Sequence, residues 1–336
     1  MSLVAVTEPE FRKAEAVFRS CGPDLECRPA PAGEDALAEM VGRHGIRHVV
    51  VGVERYRGPL YEALAPGAVI ARFGVGHDGI DKVQATRRGL LCTNTPGVLD
   101  DSVAEHAVNL ILAAARHTPV LASQMKQGCW RPQVGRELAG GTLTVVGCGA
   151  IGRRVARIAA LGFRMRVTGC DVAELDDQAL RRDWGFRRLT ADFAEAVGDA
   201  DFVSLHIPAT PATTGFIDHR RLRMLNPSAW LINTSRGAVV DEPALYDALV
   251  AGTLAGAALD VFRQEPYAPA APGKDLRRLN NVVMTPHVGS STQAACDRMA
   301  AAAIESIRLA ERKCWADMPL LNPEVLRVPG GAPEEP

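Results

Sequence analysis

Paired cysteines are missing from this chain. Its eight cysteines are scattered without a Cys-x-x-Cys spacing, which argues against a metal site of the zinc type and against a disulfide framework. Reduced thiols in a cytoplasm are the expectation. Long apolar runs are missing too, so no segment reads as a membrane span. The start, Met1-Ser-Leu-Val-Ala-Val-Thr-Glu8, has neither the basic flank nor the apolar core of a signal peptide. Excess charge is absent: 38 Lys and Arg against 39 Asp and Glu leave −1, which gives no reason to invoke nucleic acid or an anionic membrane as partner. No internal repeat is visible. What remains is a globular chain of 336 residues, 47% hydrophobic and 23% charged, long enough for two domains with separate cores.

The glycines are concentrated where they carry chemistry. An apolar β-branched run, Leu143 to Val146, ends in Gly147-Cys-Gly149-Ala150-Ile151-Gly152. A helix-like stretch follows over Arg153 to Leu161, then a second strand-like run, Met165-Arg-Val-Thr168, ending at the acidic Asp171. Glycine suits a sharp turn, a close approach of pyrophosphate to the backbone, and tight packing of helix on strand. The helix start at Ala150 and Ile151 then presents free N–H groups and a partial positive charge to phosphate. Asp171 stands 19 residues past Gly152, the spacing at which a carboxylate accepts from a ribose 2′-hydroxyl. Strand, glycine loop, helix and acid together predict dinucleotide binding. A carboxylate repels a 2′-phosphate, and Val172-Ala-Glu-Leu-Asp-Asp177 brings no Arg or Lys, so NAD is favoured over NADP. Cys148 reads as a small residue that fits the loop.

Along the chain, strands and helices alternate. Before residue 99 we read strands at Leu3–Val6, His48–Val53 and Val69–Phe73, and helices at Glu8–Arg19 and Ala36–His44, a pattern that predicts a parallel α/β sheet. Val69–Phe73 is taken as the last strand of that part. Gly74-Val-Gly-His-Asp-Gly79 follows it, at a strand's carboxyl end, where open sheets hold ligands. Ser102-Val-Ala-Glu105 has capping-box spacing and opens a long helix on Val103, Ala107, Leu110, Ile111 and Ala114. Thr118 to Leu138 reads as irregular, an arm or a surface excursion. Further strands are expected near 143, 165, 201, 229, 255 and 282, and an alanine-rich helix from Ser291 to Lys313 that is free to return to the first domain. The tail from Pro329 is expected to be disordered.

Polar residues stand at the ends of three of these strands: Asn233-Thr234-Ser235-Arg236, Asp260-Val-Phe-Arg-Gln-Glu265-Pro, and Thr285-Pro-His287-Val-Gly289. Reducing a 2-keto acid takes a cation to orient the carboxylate and an acid to protonate the forming alkoxide. Arg236 supplies an always-charged fork, and His287 can hand over a proton near neutral pH. A carboxylate such as Glu265 would favour the charged imidazole and fix its tautomer. His44, His48 and His117 carry no motif.

These motifs, in this order, resemble the D-isomer-specific 2-hydroxyacid dehydrogenases over roughly residues 45 to 315. Gly74-Val75-Gly76, Asn94-Thr-Pro-Gly97, the dinucleotide fingerprint, His206-Ile-Pro208, Ile232-Asn-Thr-Ser-Arg-Gly237, Asp260-Val-Phe with Glu265-Pro, and Thr285-Pro-His287 all match. The resemblance implies two doubly wound, Rossmann-like α/β domains. Residues 1–99 and 289–336 would make a discontinuous, flavodoxin-like substrate domain, and 100–288 the NAD domain. It makes Arg236, Glu265 and His287 catalytic, and puts Asp260 against the nicotinamide carboxamide. His206 falls near the adenosine of the cofactor, with Pro208, Thr213, Thr234, Ser235, Arg236, His287 and Gly289 as further cofactor contacts. The backbone at Val75 and Gly76 becomes the carboxylate cradle. A homodimer through the NAD domains is also implied. Arg72 and the stretch from Met125 to Arg131 are similar to the phosphoglycerate-dehydrogenase-like branch, so Arg72, with His77, is expected to meet a second anion on the substrate. No regulatory domain is expected after residue 330. Rival readings are an NAD-sensing corepressor-like protein and a formate- or phosphite-oxidising member. Glu265 argues against the formate type, which resembles Gln at that place.

Overall fold

Residues 1–327 of the chain are described here from a computed structural model, and they fall into two units. One is Met1–Leu99 together with the chain from Ser290 onward; the other is Asp100–Gly289.

In the first unit, parallel strands β1 (Ser2–Thr7), β2 (Leu25–Ala30), β3 (His48–Val51), β4 (Val69–Arg72) and β5 (Leu91–Thr93) lie in the order β2-β1-β3-β4-β5. That is the doubly wound order whose switch point falls between β1 and β3. The interior strands β3 and β4 are buried along their whole length, as a sheet covered on both faces requires. The helices are α1 (Glu8–Lys13), α2 (Glu15–Arg19), α3 (Glu34–His44), α4 (Pro59–Ala63) and α5 (Lys82–Arg87).

The second unit opens with α6 (Asp100–Ala115) and α7 (Thr118–Lys126). Its sheet is built from β6 (Thr142–Val146), β7 (Arg166–Cys170), β8 (Phe186–Thr190), β9 (Phe202–Leu205), β10 (Trp230–Asn233), β11 (Gly256–Leu259) and β12 (Val282–Met284). Between these strands run α8 (Ala150–Arg157), α9 (Asp177–Trp184), α10 (Phe193–Val197), α11 (His219–Leu222) and α12 (Glu242–Val250). All seven strands are parallel, in the order β12-β11-β10-β9-β6-β7-β8. The reversal lies between β6 and β9, so the glycine loop after β6 stands at the dinucleotide switch point. Apolar clusters line the sheet: one holds Leu231, Leu245 and Leu259, and another joins Leu143, Val167 and Phe202 to Ala107, Leu110 and Ile111 of α6. The helix α13 (Gln293–Glu311) belongs to the first unit, where it packs on β4, α1 and α2.

Several expectations are corrected. The helix read over Glu8–Arg19 is two helices, broken at Ala14 with φ −140° and ψ 41°. Val69–Arg72 is not the last strand before residue 99, because β5 follows it. The strands β2 and β8 were unread. The long helix starts at Asp100, so Ser102 sits within its first turn rather than at a cap. Thr118–Lys126 is helical, not irregular. The tail from Pro329 lies outside the described residues.

Candidate active site

In the second unit the glycine loop satisfies three separate demands. Gly147 has φ 94°, and a Cβ there would lie 2.6 Å from the His206 carbonyl oxygen. A Cβ at Gly152 would lie 2.0 Å from the Gly147 oxygen, so α8 can start this close to the loop only without a side chain. Nothing stands within 4 Å of the corresponding position at Gly149, which is exposed beside Ala150. The loop is therefore closed on its inner side and open where a pyrophosphate would meet the backbone at the α8 terminus. Ile151, next in the helix, is half-buried.

Asp171 closes the loop from the end of β7: Oδ2 accepts from the Cys148 N–H at 2.7 Å and Oδ1 from Ala173 N at 2.9 Å. Cys148 and Cys170 are buried, and burial pushes the Cys148 thiol up to about 12 and the Cys170 thiol up to about 11, so both stay as thiols. The Thr234 hydroxyl is buried with no partner among the described residues, and such an orphan fits an acceptor brought by a ligand. An open glycine at a helix terminus and an acid at the strand end are what a dinucleotide site requires.

His206 is half-buried with Nε2 2.8 Å from Ser204 Oγ, and burial pushes it down to about 4, which keeps it neutral and removes it from proton transfer. Pro208 is exposed, and its carbonyl accepts from Thr213 Oγ1 at 2.5 Å; the same hydroxyl also accepts from Thr210 N. Thr213 thus spends its hydroxyl on closing its own turn.

A second polar cluster grows from the ends of β10, β11 and β12. After β10, the Asn233 amide shapes the turn: its Oδ1 accepts from Ser235 N and Oγ, and its Nδ2 donates to the Arg236 carbonyl. The Arg236 guanidinium donates to the Ser235 carbonyl at 2.6 Å. After β11, Glu265 accepts from the Phe262 N–H at 2.9 Å through Oε1 and meets His287 Nδ1 at 2.6 Å through Oε2. Burial works against the Glu265 charge, but the His287 hydrogen bond and charge, the Phe262 N–H and Arg236 together hold its carboxyl below the usual range. With Nδ1 given to the carboxylate, Nε2 is the ring nitrogen left for a reacting atom, and a third of the side chain is exposed. His287 has φ 53°, a left-handed conformation rare for a side chain of this size.

Behind it, Asp260 is 1% exposed. Its Oδ1 accepts from Thr285 Oγ1 at 2.6 Å and Val288 N at 2.9 Å, and its Oδ2 from Gly289 N at 2.8 Å. Here too burial opposes the charge, while His106, Thr285, Val288 and Gly289 outweigh it and hold the carboxyl below the usual range. His106, from α6, was absent from the sequence reading. The signal was there: it lies three residues from Val103 and four from Leu110, on the inward stripe of the helix.

In the first unit, the loop after β4 is stitched to the segment after β5. Gly74 has φ 139° and its N–H donates to Thr95 Oγ1 at 3.0 Å; Asn94 Nδ2 donates to the Val75 carbonyl at 2.8 Å. The N–H groups of Val75 and Gly76 have no partner among the described residues. His77 accepts from Lys82 Nζ at Nδ1, 3.1 Å away. Arg72 is 9% exposed, donates to the Phe73 carbonyl and lies over Gly74. Its charge acts on Glu54, which burial pushes up and which also feels Glu10. Both carboxylates crowd Gly52, where a Cβ would lie 2.6 Å from each.

Among the described residues there is no cluster of His, Cys, Asp or Glu suited to a metal, and no helix is long and apolar enough to cross a membrane. Residues 108–289 match the model of the D-isomer specific 2-hydroxyacid dehydrogenase NAD binding domain. The chain is 39% identical over 275 residues to a glyoxylate reductase of Korarchaeum cryptofilum, covering 80% of each protein. It is 35% identical over 294 residues to a D-3-phosphoglycerate dehydrogenase of Archaeoglobus fulgidus, covering 87% of this chain and 54% of that one. Its fold superposes with TM-score 0.77 on an NADPH-dependent glyoxylate/hydroxypyruvate reductase of Sinorhizobium meliloti, solved with NADP and malonate. That match has 27% identity and covers 96% and 97% of the two chains. The loop geometry and these likenesses agree: the chain belongs to the D-isomer-specific 2-hydroxyacid dehydrogenases, oxidoreductases that work with a nicotinamide dinucleotide.

Proposed function

We propose that the protein reduces a small, singly charged 2-keto acid, of the size of glyoxylate or hydroxypyruvate, to its D-2-hydroxy acid, with NAD preferred as cofactor. The observation that carries the proposal is the 2.6 Å pairing of His287 Nδ1 with Glu265 Oε2 at the strand ends of the nucleotide unit. The nicotinamide supplies the hydride when bound. His287 Nε2 donates the proton to the keto oxygen, and takes it back in oxidation. Glu265 holds the imidazole in one tautomer and stabilises its cation. Arg236 orients the substrate carboxylate and polarises the carbonyl. Asp260 Oδ2 carries one protein donor, which leaves it able to accept from a carboxamide. The Asp171 carboxylate at the end of β7 supports NAD over NADP.

The preference for a single negative charge is supported by Arg72, whose guanidinium is engaged by the Phe73 carbonyl and lies in the field of Glu54. Its position at a strand's carboxyl end supports the second reading, that Arg72 and His77 take a second anion. The eight free cysteines support a reducing compartment, the cytoplasm. A homodimer through the second unit is supported by Trp130 and Val134, 81% and 97% exposed after α7, and its molar mass in solution tests it.

The chemistry is tested by NADH oxidation with glyoxylate, pyruvate, hydroxypyruvate and phosphohydroxypyruvate, with His287→Ala beside the wild type. We expect turnover of a monoanion, at least tenfold lower kcat/KM for the phosphorylated acid, and a loss of about 10²–10⁴-fold in kcat for the variant. A phosphorylated acid used best would move the assignment to the second reading. Undiminished activity in His287→Ala, or NADH binding with no turnover at all, would overturn the mechanism.

A further inference from the structure

The turn that carries His287 is wound around one carboxylate. Asp260 receives the Thr285 hydroxyl and the Val288 and Gly289 N–H groups on its side chain, and the His287 N–H on its carbonyl at 2.8 Å. His287 takes its left-handed backbone inside this loop of bonds, a conformation that lasts only where the surroundings over-determine it. The anchor is itself held from a different element. His106 of α6, 14% exposed, sets Nε2 3.1 Å from Thr285 Oγ1 and 3.3 Å from Asp260 Oδ1.

Proton bookkeeping gives the direction of these bonds. The Thr285 hydroxyl has one proton, and its 2.6 Å bond to Asp260 uses it. Toward His106 the hydroxyl oxygen can only accept, so Nε2 carries a hydrogen and His106 donates. We infer that His106 is a positioning residue for the reaction: its Nε2–H locks the Thr285 hydroxyl onto Asp260, and through that carboxylate keeps His287 Nδ1 on Glu265. A buried carboxylate with a full set of donors stays in one rotamer, whereas one that loses a donor turns to find another. Rotation of Asp260 would release the Val288 and Gly289 N–H groups and let the His287 backbone relax toward ordinary φ, taking the imidazole off its partner. The purpose of α6 at this point is then mechanical: it holds the anchor of the turn.

The inference rests on His287 being the proton-transfer group, so the test runs with His287→Ala in the same assay. The probes are the keto acid turned over fastest by the wild type, NADH binding by fluorescence, and, on the cofactor-free protein, the downfield imidazole N–H proton resonance of the His287–Glu265 bond. His106→Phe removes the donor and keeps the bulk; His106→Gln puts an amide N–H at the same reach. We expect His106→Phe to lose roughly tenfold to a hundredfold in kcat, the effect of a small misplacement of a reacting group. Its KM for the keto acid should stay within about threefold of wild type, its NADH affinity should fall by no more than the one carboxamide contact of Asp260, and the downfield resonance should broaden or vanish. His106→Gln should recover most of the kcat and the resonance. Thr285→Val cuts the same chain at its other end, and provides the test if His106→Phe does not fold. Its loss should resemble that of His106→Phe, and the double variant should fall no further than the worse single one. Wild-type kcat in His106→Phe, no recovery in His106→Gln, or losses that multiply in the double variant would each overturn the inference. Activity surviving in His287→Ala would instead overturn the mechanism on which it rests.

Discussion

At the scale of the residue, the pair His287 and Glu265 joins an imidazole to a carboxylate at 2.6 Å, and on the proposed mechanism the carboxylate is its counter-charge. Glu265 is held below the usual carboxylate range, so it keeps its charge well into acid, and the attraction is lost only as pH falls through that lowered value. Below it, a neutral acid can no longer steady the imidazolium. Glu265→Gln should reproduce this loss at neutral pH: the amide keeps the shape and drops the charge. On the proposed mechanism kcat for reduction should then fall by about 10²-fold. An unchanged kcat in Glu265→Gln would mean that Glu265 acts by shape alone. Arg236, Glu265 and His287 were legible as candidates because each follows a strand within a motif of several residues. The sequence could not name His106, whose meaning comes from Thr285, 179 residues away. A histidine on the inward stripe of a helix reads as core until its partners are seen.

Elements were legible in proportion to their burial. The interior strands β3, β4, β6, β9 and β10 are buried along nearly their whole length and mostly apolar, and each stands out in the sequence. Of the strands left unread, β2 and β5 are the two edges of one sheet, and β8 is an edge of the other. The strand β2 carries Glu26, Arg28 and Pro29 over Leu25–Ala30, β8 is Phe-Arg-Arg-Leu-Thr, and β5 is only three residues long. Charge, proline and shortness keep edges from pairing with other chains, and they hide the strand from any hydrophobic pattern. The break at Ala14 has no glycine or proline to announce it. Glycine spacing, in contrast, was legible, since Gly147 and Gly152 each answer a close backbone contact and Gly149 leaves the loop open. Gly152→Ala tests that reading at the scale of the element. The new methyl would sit 2.0 Å from the Gly147 oxygen, and neither backbone has room to yield without moving α8 away from β6. NADH affinity should fall by at least tenfold and Tm by several degrees, whereas Gly149→Ala, which faces open space, should keep its Tm and lose affinity alone. Equal thermal stability for Gly152→Ala and wild type would show that the loop is softer than its geometry implies.

At the scale of the whole molecule, the chain leaves its first unit at Leu99 and returns at Ser290. The returning segment is structural. Along α13 the residues Ala295, Cys296, Met299, Ala300, Ala303, Ile304 and Ile307 are buried, and Glu311 Oε1 meets the buried His48 of β3 at 2.7 Å. Arg308 reaches Asp24 at 2.8 Å. Beyond the helix, Leu321 donates to the Cys92 carbonyl, and the fully buried Asn322 bonds Cys92 N and the Leu90 carbonyl, which completes the exposed side of β5. Three large apolar side chains, each contributing about 1.5–3 kcal/mol by burial, already approach the roughly 5–15 kcal/mol by which a domain is stable. The second unit keeps its own sheet and its apolar clusters within Asp100–Gly289. A chain ending at Gly289 should therefore lose one fold and keep the other. Limited proteolysis should cut freely between residues 1 and 99 while Asp100–Gly289 survives and still binds NADH, seen by fluorescence transfer. Protection of residues 1–99 in that truncated chain would show that their sheet stands without α13. Loss of NADH binding would show that the nucleotide unit depends on the other for its own stability.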